Sequence, residues 1–131
     1  MITGYNGIAM QIAENGYDDD EVIELLMSLS AINGITTEST EDSVTYSVTV
    51  NGKSCPLFVL TAPWYSFSLH VKELTLFFEE NDIPPFYADT IFRDLCDIMH
   101  GTRIPFETAL TNKDEIILAV YRLMHLIKYD D

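Results

Sequence analysis

Ser43-Val44-Thr45-Tyr46-Ser47-Val48-Thr49-Val50, then Asn51-Gly52, then Lys53-Ser54-Cys55-Pro56-Leu57-Phe58-Val59-Leu60, is the most strongly patterned part of the chain. Its first arm alternates apolar and hydroxyl residues, the period of a strand with one buried face. Asn-Gly suits a two-residue turn in which both central residues need positive φ. The spacing predicts a hairpin from Ser43 to Leu60, with Val50 opposite Lys53, Val48 opposite Cys55, Tyr46 opposite Leu57 and Val44 opposite Val59. In that register Pro56 faces Ser47 at a non-hydrogen-bonded pair, so the N–H it lacks would have pointed away from the partner strand. The second arm is then an edge at that point. A third strand, from Ile35 to Thr40, belongs beside the first arm and would be exposed, given Thr36, Thr37, Ser39 and Thr40.

Upstream, a short helix is expected from Ile8 to Glu14, closed by Asn15-Gly16. A stronger helix start follows. Asp18 can cap the first amides, Glu21 can return the bond in a capping box, and Tyr17 can staple to Val22. Val22, Leu25, Leu26, Leu29 and Ile32 make the buried stripe of this helix, and Asp20, Glu21, Glu24 and Ser28 fall on the opposite sector, up to Asn33-Gly34. Asp19 and Asp20 also suit the positive end of the helix dipole, so the acidic run has a structural reason to exist. A calcium loop fails here: with Gly16 at the turn position, Gln11 and Ala13 would be the first ligands and Val22 the closing carboxylate.

Downstream, residues from Trp64 to His70 fit strand and helix periods equally, whereas Val71 to Glu80 reads as helix, stopped by Asn81-Asp82 and Pro84-Pro85. Another helix is expected from Phe86 to His100, ending at Gly101. A last one, capped by Thr111 or Asn112, should run to about Lys128 with Ile116, Ile117, Val120, Leu123, Met124 and Ile127 inward. Four or five helices packed with a small antiparallel sheet of two or three strands give an α+β class. At 131 residues and 47% apolar composition, one domain suffices.

The charge balance constrains partners. Against 21 Asp and Glu stand 7 Lys and Arg, a formal charge of −14. Such a chain repels phosphate backbones and anionic membranes, and no apolar run reaches the ~20 residues of a membrane span. Its attractive partner is a basic protein surface, such as that of a nuclease or another nucleic-acid-binding protein. Two cysteines, Cys55 and Cys96, without CxxC spacing, fit reduced thiols, and the absence of a basic, apolar leader fits a cytosolic protein.

Chemical motifs are missing. Asp94, Asp97, Cys96 and His100 lie close in sequence, but the helical wheel puts Asp89, Arg93, Asp97 and His100 on one polar ridge where Arg93 pairs with both neighbours, so no metal site is expected. No G-x-S-x-G, G-x-G-x-x-G or Walker pattern occurs. The chain therefore reads as a non-enzyme that needs no cofactor. In composition it is similar to small phage inhibitors of host defence, DNA mimics among them, and to toxin-neutralising immunity proteins. The expected contact residues are Asp18, Asp19, Asp20, Glu21 and Glu24, then Glu38, Glu41 and Asp42, then Glu79, Glu80 and Asp82, with Trp64 as an aromatic anchor. Two alternatives stand beside this: a homo-oligomer joined through the hairpin edge or the last helix, and a ligand-binding domain or enzyme with a pocket near His70, His125 or Cys96.

Overall fold

The computed structural model describes residues 19–40, 42–61 and 66–129 of the chain. Its elements run α1 (Asp19–Ser30), β1 (Ile35–Ser39), β2 (Ser43–Val50), β3 (Lys53–Thr61), β4 (Ser66–Leu69), α2 (Val71–Glu80), α3 (Phe86–Leu95), a 3-10 turn (Cys96–Ile98), β5 (Arg103–Pro105), α4 (Phe106–Thr111) and α5 (Lys113–Tyr129). The class is α+β, with a sheet larger than expected: five antiparallel strands in the order β1-β2-β3-β4-β5. The expected helix from Ile8 to Glu14, and the Asp18 cap with its Tyr17 staple, lie outside the described residues.

The hairpin forms on its Asn51-Gly52 turn, with φ of 53° and 78°. Val50 faces Lys53 and Val48 faces Cys55, and Ser47 faces Pro56, in the expected register. Beyond Pro56 the pairing shifts, so that Tyr46 faces Phe58 and Val44 faces Leu60. Leu57 is the extra residue of a β-bulge, and both Leu57 and Phe58 turn inward, each with no exposed surface. As expected, β1 lies on the far side of β2. The first half of β3 has a strand partner on one side only, because β4 pairs with Phe58 through Thr61.

The remaining strands escaped the sequence reading for a physical reason. Ser66–Leu69 is too short to separate its period from that of a helix, and Arg103–Pro105 acquires its identity only by pairing Ile104 with Phe67. Phe67 is the hub of the core: its ring lies 5.7 Å from Phe58, 6.0 Å from Phe106 and 6.4 Å from Tyr46. The Tyr46 hydroxyl donates to the Leu26 carbonyl at 3.0 Å, tying the sheet to α1.

The helices match the expected stripes except at Ile32 and Ile117, which are half-buried. Val22, Leu25, Leu26 and Leu29 are buried, as are Ile116, Val120, Leu123, Met124 and Ile127. The structure corrects the helix from Phe86 to His100. It ends at Leu95 and tightens into the 3-10 turn, and His100 lies in a turn closed by hydrogen bonds to Arg103 across Gly101, whose φ is 67°. The expected Arg93 pairs with Asp89 and Asp97 are not among the ion pairs of the described residues, and the change of helix type removes the four-residue spacing on one side. Asp94 meets Arg122 of α5 instead, at 3.4 Å. Asn112 stands before α5 with its carbonyl accepting from Ile116, but its side chain donates backward to Thr108, ending α4.

Antiparallel pairing sorts the sheet residues by face. Val44, Tyr46, Val48, Phe58, Leu60, Phe67 and Ile104 turn to the helices. The other face carries Thr36, Ser43, Thr45, Ser47, Thr49, Ser54, Thr61, Ser66 and Ser68, together with Pro56, Val59 and Pro105, and Glu38 and Arg103 as its charges. A chain of hydroxyl hydrogen bonds crosses three strands there, Thr36 to Thr49 at 3.1 Å and Thr49 to Ser54 at 3.0 Å.

Candidate functional site

On α1, the expected acidic ridge is present: Asp20, Glu21 and Glu24 are exposed opposite the buried stripe. Glu24 accepts from Lys113 of α5 at 3.0 Å. That hydrogen bond, with Glu21 and Asp114 nearby, holds the Lys113 ammonium above its ordinary pKa. One lysine thus lies among several carboxylates where α1 meets the start of α5. Asp18, Glu41 and Trp64 lie outside the described residues, as does the side chain of Asp19.

The sheet-edge group divides. Glu38 is exposed on the hydroxyl face, whereas Asp42 belongs to the β1–β2 turn: the Thr40 hydroxyl donates to its carboxylate at 3.0 Å and accepts from the Ser43 amide at 3.1 Å. On α2, Glu79 and Glu80 are exposed, and Asp82 has a backbone task. Its φ is 60°, and the Ile83 amide donates to the Phe78 carbonyl at 2.9 Å, the closure of a Schellman cap with Asp82 at the left-handed position.

The α2 carboxylates also face a thiol. Burial pushes the Cys55 pKa up, and the negative charges of Glu73 and Glu80 push it further. A thiol held neutral in this way is a poor nucleophile. Cys96 is exposed and, like Cys55, unpaired by a disulfide. His70 caps the start of α2: its amide donates to the Leu57 carbonyl at 3.1 Å, and its Nδ1 stands 3.7 Å from Glu73. At the start of α3, Phe86 is exposed and Tyr87 is buried. Among the described residues no three His, Cys, Asp or Glu side chains converge as a metal site requires, and no helix is long and apolar enough to cross a membrane.

Of the three places named for a pocket, His125 lines a groove of about 590 Å³ between the end of α1, the β2–β3 turn and the last turns of α5, whose other walls sequence reading did not foresee. Ile32, Val50, Met124 and Ile127 give it apolar walls, and Tyr121 and His125, whose rings lie 6.3 Å apart at 19°, stand at its side. The four-residue spacing of Tyr121 and His125 was legible, but the groove joins three distant parts of the chain. No Asp or Glu of the described residues lines it.

No family model, curated protein or solved structure matches this chain.

Proposed function

We propose that the chain is a non-enzymatic acidic binding protein whose helix-borne carboxylates occupy a basic surface of a partner protein, of the kind that itself grips nucleic acid, in a reducing compartment. The observation that carries this reading is the segregation of charge. Among the described residues the acids, apart from Glu38 and the turn residue Asp42, stand on helices and their caps, whereas the open sheet face is built mainly of hydroxyls, with Pro56, Val59, Glu38 and Arg103 among them. Carboxylates replace phosphates against the partner's Lys and Arg, giving fast, salt-sensitive association.

Magnitude limits the analogy with DNA. The accessible surface is 7366 Å². With the whole net charge gathered on half of it, each charge would have about 260 Å², against about 100 Å² on a duplex of one charge per ~1.7 Å. The reading is therefore electrostatic capture by a few grouped acids, without a charge-for-charge copy of a backbone.

The test is titration of a candidate nuclease, or of a partner captured from native cytosol, at rising ionic strength. Affinity should fall steeply with salt, and reversing Asp20 and Glu21 together to Lys should cost roughly tenfold or more without loss of fold. Affinity that is flat in salt removes the mechanism. The groove favours a second reading, a small-ligand-binding domain, because apolar walls beside an aromatic pair suit a planar organic molecule. A ligand that stabilises the protein to heat, and loses that effect in Tyr121→Ala, would favour it.

A further inference from the structure

Among the described residues the sheet has free edges at β1, along the first half of β3 and at the three-residue β5, and the two longer ones differ. The free part of β3 carries Lys53 and Pro56, both exposed, devices that protect an edge from pairing with another chain. Strand β1, Ile-Thr-Thr-Glu-Ser, carries no proline, lysine or bulge. Its hydrogen-bond phase follows from two contacts at its ends: Thr49 N–H donates to the Gly34 carbonyl and Thr40 N–H to the Ser43 carbonyl, both at 2.8 Å. Residues 34, 36, 38 and 40 thus turn their main-chain groups to β2, and Thr37 and Ser39 turn theirs away from the sheet. The Ile35 amide is used, donating to Ile32 at 3.1 Å.

Two further observations fall on the same side of the molecule. Among the described residues, the buried side-chain oxygen without a hydrogen-bond partner is Thr37 Oγ1, on this strand. Helix α1, which packs over β1 and β2, turns Glu24 and Ser28 toward α5, so its opposite flank lies beyond β1. That flank presents Ile23 and Met27, with Met27 42% exposed.

We propose that a second copy of the chain docks here, its β1 antiparallel to the first about a two-fold axis through Thr37. The symmetry fits the free groups. Thr37 N–H and C=O bond their counterparts reciprocally, and Ser39 N–H reaches the Ile35 carbonyl of the other copy at either end. Glu38 falls opposite Thr36 of the other copy, so no like charges meet across the pair. Rotation about χ1 brings the two Thr37 hydroxyls within reach of each other, and the Ile23–Met27 flanks of the two α1 helices cover the joint. A pair of this kind is isologous and closed, so it ends at two copies.

Sedimentation velocity of the full chain across a hundredfold range of concentration tests this. The protein should sediment as a dimer at the upper end, and added salt should tighten association, since it screens the repulsion between two copies of charge −14. That sign is opposite to the one expected for a basic partner, so the two proposals fail separately. Thr37→Pro removes an outward-facing N–H, and Met27→Glu places charge on the flank without touching the strand. Each should weaken dimerisation at least tenfold, with circular dichroism confirming the fold. Should Thr37→Pro fail to fold, Met27→Glu decides alone. A wild-type monomer at every concentration, or a dimer that a folded variant leaves intact, overturns the proposal.

Discussion

Replacing Asp82 separates the structural role of one acid from its electrostatic one. Asp82 holds φ at 60° in the cap of α2, where the Ile83 amide closes on Phe78. A side chain in this region costs about 1–2 kcal/mol, less for Asp and Asn than for Ala. The carboxylate also sits at the negative end of the helix dipole, next to Glu79 and Glu80, and relief of that repulsion is worth about 0.3–1 kcal/mol. Asp82→Asn gains only the charge relief. Asp82→Gly gains the relief and the backbone freedom, offset by about 0.4–1 kcal/mol of additional unfolded-chain entropy. Asp82→Ala gains the relief and pays the full left-handed penalty. The Gly and Asn variants should therefore exceed wild type by about 0.5–1 kcal/mol and Ala should fall below it by a similar amount. For a chain of this size the spread between Gly and Ala corresponds to roughly 4–8 °C in Tm. Thermal unfolding followed by circular dichroism measures it. An Ala variant as stable as the Gly variant would refute the cap argument.

Further outcomes follow from the core and from titration. Phe67→Ala should cost about 3–5 kcal/mol in urea unfolding, because Phe67 is buried among three other rings; a loss below about 1 kcal/mol would deny it the central place given to it. Gly34→Ala should cost about 1–2 kcal/mol from its φ of 90°. An added β-carbon would also meet the flexible tip of Met124, so adding Met124→Ala should not restore stability, and full rescue would move the cause from backbone to packing. Stability should decline in alkaline solution. The folded pKa values of Cys55 and Lys113 are both raised, so the unfolded chain gives up its protons first and the loss begins near pH ~8.5, where an unperturbed thiol ionises. Urea midpoints from pH 7 to 10 test this, and Cys55→Ala should flatten the first part of the decline.

What the residues disclosed in advance was local. The turn at Asn51-Gly52, the edge at Pro56 and the bounds of α2 were legible because each depends on neighbours in the chain. The register failed after Pro56 because Leu57 and Phe58 are consecutive apolar residues, and alternation does not say which is the extra one. Strand β5 was invisible because three residues carry no period, and its partner Phe67 lies far away in sequence. The acids of α1 were legible as an exposed ridge, but the Lys113 bond to Glu24 spans 89 positions and needed the fold. The same separation hid the walls that face His125 across the groove and split the acidic candidates into those that stay on the surface and those, such as Asp42 and Asp82, that shape a turn or a cap.

The bulge at Leu57 sets the reading frame of the sheet. Before it, inward positions on β3 are odd-numbered, and after it they are even-numbered, so the strand changes parity without changing direction. Deleting Leu57 alone would remove the bulge: Phe58 would follow Pro56 directly and still face Tyr46, and Leu60 would still face Val44, so the pairing closes regularly and what is lost is a side chain with no exposed surface. The same deletion would remove the carbonyl that receives His70 and so unfasten the start of α2. A one-residue deletion there should thus keep the hairpin register and take its toll in the core and at the first turn of α2.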